Sequence, residues 1–208
     1  MSILELRQYT MVPGRRDDFA RIFDREFVES QEVLGIDVVG QFLDADRPDR
    51  YVWLRAFPDM EGRRAALDAF YTGPVWAEHS GDANETMTEW HDVLLLAPAW
   101  EGSGFSDLPP RRARGETAGD VLGGDIFASI IDVEPTAMSD VVEAVRRGAA
   151  KLLGAYRTLH APNTYPRLPI RDDASVLVLF ARSPDQLPIL DRPGLQLRLK
   201  PTARSRLR

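Results

Sequence analysis

Apolar and polar residues alternate in short runs along this chain, and between the runs apolar residues recur at helical spacing. The first run, Glu5-Leu6-Arg7-Gln8-Tyr9-Thr10-Met11-Val12, has the period-two pattern of a strand. Pro13-Gly14 then opens a helix in which Phe19, Ile22, Phe23 and Phe27 face inward while Arg15, Arg16, Asp17, Asp24 and Arg25 take the wet side; Gly35 marks its end. A second strand runs through Val38-Val39-Gly40-Gln41-Phe42 and a third through Tyr51 to Phe57, joined by the turn-forming run Asp44-Ala45-Asp46-Arg47-Pro48-Asp49. Pro58-Asp59 starts a second helix with Asp59 as N-cap and Met60, Leu67 and Phe70 inward. Thr72-Gly73-Pro74 breaks it, a further helical segment covers about Val75 to Met87, and Val93 to Leu96 closes the half as a strand.

The same order returns further on. Asp125 to Val133 reads as a strand, and about Met138 to Leu153 as a helix with Val141, Val142, Val145, Ala149, Leu152 and Leu153 inward. Strands follow through Tyr156 to Leu159, Ser175 to Phe180 and Leu195 to Pro201. Arg182-Ser183-Pro184-Asp185 stands where the first half has Ala56-Phe57-Pro58-Asp59, but Pro188 and Pro193 cut short the helix expected there. Between the halves, Trp100 to Gly124 loses the periodic apolar pattern and gains glycines, Pro109-Pro110 and the cluster Arg111, Arg112 and Arg114. The prediction is an α+β chain of two tandem ferredoxin-like (βαββαβ) domains, at 1–98 and 124–208, joined by a linker at 99–123.

Strand alternation divides the first sheet into two faces. Leu4, Leu6, Val52, Leu54 and Ala56 are aliphatic and suited to packing under helices; Glu5, Arg7, Tyr9, Tyr51, Trp53 and Arg55 are large, aromatic or charged. If two such sheets pair, within the chain or across a dimer, the second face is expected to line the enclosed interior.

Composition narrows the partners. The chain has 208 residues, 44% hydrophobic and 28% charged, with a net charge of −6, which offers nothing to a polyanion and gives no expectation of nucleic-acid binding. It has no cysteine, which removes disulfides, thiolate nucleophiles and cysteine-based metal sites and suits a reducing cytosol. No apolar run approaches the roughly 20 residues of a membrane span, and the strand-like opening reads as having no signal peptide. A cytoplasmic protein with no membrane partner is the expectation.

Several separated motifs resemble the NIPSNAP family, in the family's order: Glu5-Leu6-Arg7-Gln8-Tyr9-Thr10 with Pro13-Gly14, Trp53 to Met60, Phe70-Tyr71, and Pro74-Val75-Trp76 with His79 and Asn84 beyond. The resemblance covers about Ile3 to Pro98; the second half carries only the architecture. It implies the dimeric α/β-barrel superfamily, which includes cofactor-independent monooxygenases, polyketide-type cyclases and haem-binding members. It supplies no catalytic set to carry over.

The chemistry-bearing candidates lie mostly on the second sheet face. Arg7 and Arg55 could hold a carboxylate, phenolate or enolate, or be satisfied by Glu5 or by an acid of a partner subunit. Tyr9, Tyr51 and Trp53 could wall a flat ligand, or pack an interface, and Trp76 is a further ring-binding candidate. Gln41, on the second strand, is the further ligand-binding candidate. His79 shares a helix face with Trp76, Ala83 and Met87; such a histidine is more often core than catalyst, yet it is the best acid–base candidate here. The histidines lack the paired spacing of a metal site, and no phosphate-cradling glycine motif occurs. No cofactor is expected, with haem on His79 or His160 the minor alternative. The arginine cluster and the tail Arg204, Arg206 and Arg208 read as solvated, flexible segments. The leading expectation is a homodimeric protein binding a small apolar or aromatic, anionic metabolite between sheet and helices, as a cofactor-free cyclase, isomerase or monooxygenase. The alternative is a non-enzymatic oligomeric interaction or scaffold module.

Overall fold

A computed structural model describes residues 3–115, 124–148 and 151–208. Eight strands form one closed barrel in the order β1-β3-β2-β8-β5-β7-β6-β4, every neighbouring pair antiparallel. The first half supplies β1 (Ile3–Met11), β2 (Asp37–Asp44), β3 (Arg50–Phe57) and β4 (Met87–Pro98); the second supplies β5 (Ile126–Asp132), β6 (Gly154–Thr158), β7 (Val176–Ala181) and β8 (Gly194–Pro201). Two short seams join the halves: Phe42 to Asp44 pair with Leu199 to Pro201, and Leu96 to Pro98 with Tyr156 to Thr158. The barrel therefore closes within one chain, and no sheet edge is left open to template another strand.

Helices cover the first half's outer face. One helical stretch comprises α1 (Arg16–Ile22), a π-helical turn (Phe23–Phe27) and α2 (Val28–Glu32). The wider π turn keeps Phe19, Phe23 and Phe27, four residues apart, in one row with centroids about 6 Å apart. α3 (Met60–Tyr71) starts where the sequence predicts, with the Asp59 carboxylate accepting from the Gly62 N–H at 2.7 Å. α4 (Pro74–Asn84) has proline at its first position. In the second half α5 (Met138–Arg147) packs Val141, Val142 and Val145 on Leu177 and Leu179. After β7 there is only a 3₁₀ turn, Pro184–Gln186, as the two prolines foretell. The apolar spacing predicts α5 running to about Leu153; residues 149–150 lie outside the described residues, and Leu152 and Leu153 are not helical.

The two sheet faces lie opposite to expectation. Leu4, Leu6, Val52 and Leu54 fill the barrel with Ile126, Val178, Phe180, Leu197 and Leu199. Arg7, Tyr9, Trp53 and Arg55 lie outside it, beneath the helices. Alternation identifies which residues share a face but not what that face meets. Here the aliphatic faces of both halves meet each other, and the aromatic rings of the helices take the aromatic strand face.

The arginine-rich segments are bound rather than solvated. Arg111 pairs with Glu32 at 2.6 Å, Arg206 with Asp37 at 2.6 Å, and Arg204 with Glu29. Ser103 donates to the Ala155 carbonyl at 2.8 Å, and Phe105 packs on Phe180 at 5.0 Å, so the described part of the connection, 99–115, is fixed to the barrel.

Gly194 tests the closure. A Cβ there would lie 2.4 Å from the Ile130 carbonyl oxygen across the β5–β8 ladder. Gly194→Ala is expected to cost about 1–3 kcal/mol in urea unfolding. Gly81→Ala in α4, where nothing lies within 4 Å of the new methyl, is expected to be neutral or to gain up to about 1 kcal/mol. Equal midpoints for Gly194→Ala and wild type would show that this approach does not hold the barrel.

Candidate functional site

Beneath the helices of the first half, one carboxylate binds three guanidinium groups. Pairing of β1 with β3 sets Glu5 opposite Arg55, Arg7 follows two residues along the same face, and Arg63 reaches in from α3. Glu5 accepts from Arg7 Nη1 at 2.8 Å, Arg55 Nε at 2.7 Å and Arg63 Nε at 2.6 Å, and all four side chains are buried. Further bonds tie the cluster outward. Arg7 Nε donates to the Tyr9 hydroxyl at 2.8 Å, Arg55 Nη1 to Gln31 Oε1 at 3.1 Å, and Arg63 Nη1 to Asn163 Oδ1 at 3.0 Å. The Arg55 guanidinium also lies 5.0 Å from the Trp53 ring, and that of Arg7 5.5 Å from it.

Burial by itself would push the Glu5 carboxyl up. The charges of Arg55, Arg7 and Arg63 and the Arg55 hydrogen bond outweigh burial and hold it well below the usual carboxylate range. Three guanidiniums against one carboxylate leave two positive charges in excess in the interior. Burial raises the Tyr9 hydroxyl against the opposing Arg7 charge, so it stays protonated near neutral pH.

Above this floor lies a cavity of about 330 Å³. Tyr9 and Trp53 of the sheet form one wall, with Trp53 4.7 Å from Phe23. Phe70, Tyr71 and Trp76 of α3 and α4 form another, Trp76 standing 4.7 Å from Tyr71 and 5.5 Å from Phe27. The second half closes it: the connection between β6 and β7 crosses over as a strap and contributes Tyr165, Arg167 and Leu168. Asn163 holds Arg63, the Thr164 hydroxyl donates to the Met60 carbonyl at 3.0 Å, and Tyr165 stacks on Tyr71 at 6.1 Å.

Arg7, Tyr9, Trp53 and Trp76 thus line one cavity, as a shared site requires. Arg55 lies beneath it, committed to Glu5 and Gln31. Gln41 is elsewhere, its amide 3.5 Å from Asp24 Oδ1. His79 does not line the cavity; its Nε2 lies 3.5 Å from Glu26 at the outer edge of α4. His160 does not line it either, and the described residues hold no cluster of three histidines, cysteines or acids that could take a metal ion.

Arg63 is missing from the sequence-based candidates although a signal existed. It falls three residues after Met60 and four before Leu67, a charge on the inward face of a helix. Tyr165 and Arg167 carry no such signal, because their place depends on the strap crossing from one half to the other.

Replacing Glu5 is expected to be severe. Glu5→Gln leaves three buried guanidiniums without a counter-charge, for an expected loss of about 3–5 kcal/mol in denaturant unfolding at pH 7. The folded-state pKa of Glu5 is depressed, so its contribution is fully present above the unfolded value of about 4.3 and fades as pH falls below it. The wild-type advantage over Glu5→Gln should therefore shrink on acidification. A variant as stable as wild type at pH 7 would show that the cluster does not organise this half.

Residues 4–100 match the NIPSNAP family model. No curated protein matches the sequence. Among solved structures, a candidate monooxygenase from Fusobacterium nucleatum superposes with a TM-score of 0.61 at 8% identity, covering 97% of this chain and 92% of that one. One from Lactobacillus acidophilus gives 0.61 at 10% identity, covering 96% and 93%. An uncharacterized NIPSNAP-like domain protein from Burkholderia xenovorans is 24% identical over 55% of this chain and 97% of its own, with a TM-score of 0.46. The first two likenesses extend over the whole barrel and concern its fold, whereas the sequence signature stops near Trp100, where the described connection to the second half begins. The first half of this chain, residues 4–100, belongs to the NIPSNAP family.

Proposed function

We propose that this protein binds a small apolar or aromatic, anionic metabolite in the cavity between the first sheet and its helices. The observation that carries the reading is the cavity itself: an aromatic enclosure set over a floor with two uncompensated positive charges. A volume near 330 Å³ is at the small end of ligand sites, of about 300–1,000 Å³. Excess buried charge raises the affinity of such a site for an anion.

In this reading the chain is two tandem ferredoxin-like domains, at 1–98 and 124–208, whose strand orders β4-β1-β3-β2 and β8-β5-β7-β6 correspond. It works in the cytoplasm as a homodimer; no helix among the described residues is long and apolar enough to cross a membrane. Cyclisation, isomerisation or oxygenation without a cofactor suits an enclosed aromatic site, and the fold shared with the two candidate monooxygenases keeps oxygenation in this set. Arg7 and Arg55 are ion-paired beneath the helices of their own chain, which favours this reading over one in which that face is a subunit interface.

Leu168, half-buried on the strap, offers a way to fill the cavity. With a panel of aromatic acids, phenols and neutral aromatics, at least one anionic member is expected to raise the unfolding temperature of wild type. Leu168→Trp, itself folded, should not respond. A panel that shifts neither protein, or both equally, would overturn the cavity as the binding site. Native mass spectrometry of the purified chain should show a dimer; monomer alone would remove the homodimer.

A further inference from the structure

The buried, uncommitted hydrogen-bonding groups of the cavity are chiefly donors. Among the residues that line it, none is Asp or Glu. Gln31 is spent at both ends, its Nε2 donating to the Phe27 carbonyl at 2.7 Å and its Oε1 accepting from Arg55. The Trp53 indole N–H and the Tyr165 hydroxyl are buried without a partner among the described residues. Trp53 can only donate. The Tyr9 oxygen already accepts from Arg7, so its proton remains to be given. Leaving buried donors unmet destabilises the empty site. A ligand with acceptors relieves that cost at both Trp53 and Tyr165; a ligand with donors alone leaves the Trp53 N–H unmet.

The guanidiniums differ in what they have left to offer. Arg7 has committed Nε to Tyr9 and Nη1 to Glu5. Arg55 and Arg63 do not line the cavity. Arg167 does, and it makes no hydrogen bond or ion pair among the described residues, so its whole fork of donors is open. It stands on the strap two residues from Tyr165, whose hydroxyl is one of the orphan donors. An anion at Arg7 shares a guanidinium already bonded to Tyr9 and Glu5 through two of its three nitrogens, whereas at Arg167 it meets the whole fork.

We infer that the ligand is an aromatic carboxylate, its ring system held among Trp53, Trp76 and the phenylalanines and its carboxylate taken by Arg167 and the Tyr165 hydroxyl of the strap. This rests on the cavity reading proposed above and adds to it the ligand class and the residue that selects it. The planar guanidinium matches a carboxylate with two parallel N–H···O bonds. The excess charge of the floor adds attraction for the anion without making a bond to it. The second half thereby has a role in the first half's site: it supplies the specificity-determining side chain.

The test is isothermal titration calorimetry at pH 7.5 with 2-naphthoate and its neutral isostere naphthalene-2-carboxamide. Wild type is expected to bind the carboxylate about tenfold or more tightly than the amide. Arg167→Gln should lose about that factor for the carboxylate while binding the amide as before. Because Arg167 is exposed and unbonded, its unfolding midpoint should equal that of wild type, which separates lost recognition from lost folding. Equal affinities of wild type for the two probes, or an unaltered carboxylate affinity in Arg167→Gln, would overturn the inference. The cavity reading would survive if Leu168→Trp still excluded both. Binding of neither probe to wild type would overturn both readings together.

Discussion

Glu5 is the constraint on which the first half depends. A carboxylate in a dry interior requires opposite charge, and three arginines in the same interior require an acid. The two needs are met by one arrangement, in which β1 lies beside β3 in a single register, α3 lies across them at the height of Arg63, and Gln31 turns α2 toward Arg55. A slip of β1 by one residue would carry Glu5 into the aliphatic barrel and leave the arginines unpaired. The bond from Arg63 to Asn163 extends the same constraint to the strap, so the cover of the cavity is anchored to its floor.

The barrel interior plays no part in this chemistry. It is filled by aliphatic side chains from both halves, with Phe42, Phe180 and Tyr156 closing the remaining space. Closing the sheet within one chain leaves only the outer faces for a site. On the first half's face, aromatic residues from sheet and helices meet edge to face, and their bulk prevents close approach, leaving an enclosed space. On the second half's face, the valines of α5 pack directly on Leu177 and Leu179. The two halves share a strand order and differ in what their faces can hold. One carries the aromatic cavity, and the other supplies its strap.

The strap explains the division of labour. The link between β6 and β7 has far more residues than the hairpin between β2 and β3, and its surplus length crosses to α3 and the cavity mouth. The second half has no helix after β7 comparable to α3, and its own outer face is correspondingly simpler. Its contribution to the site is made through a loop.

Much of this was written in local patterns. The order of strands and helices, the Asp59 cap, the proline-shortened end of the second half and the family signature of the first all follow from spacing, capping and punctuation, which act over a few residues. Arg7, Tyr9, Trp53 and Trp76 were recognisable because they interrupt an otherwise aliphatic or solvated pattern. Helical spacing set His79 beside Trp76 but could not say that the cavity ends before reaching it. Tertiary structure alone decided which sheet face the helices cover, that Arg55 would be spent on Glu5, that the tail arginines would be ion-paired, and that Tyr165 and Arg167 would meet residues about a hundred positions earlier. The reason is physical: period and capping are set by neighbours along the chain, whereas the partner of a face, a charge or a loop is set by whichever distant surface arrives to bury it.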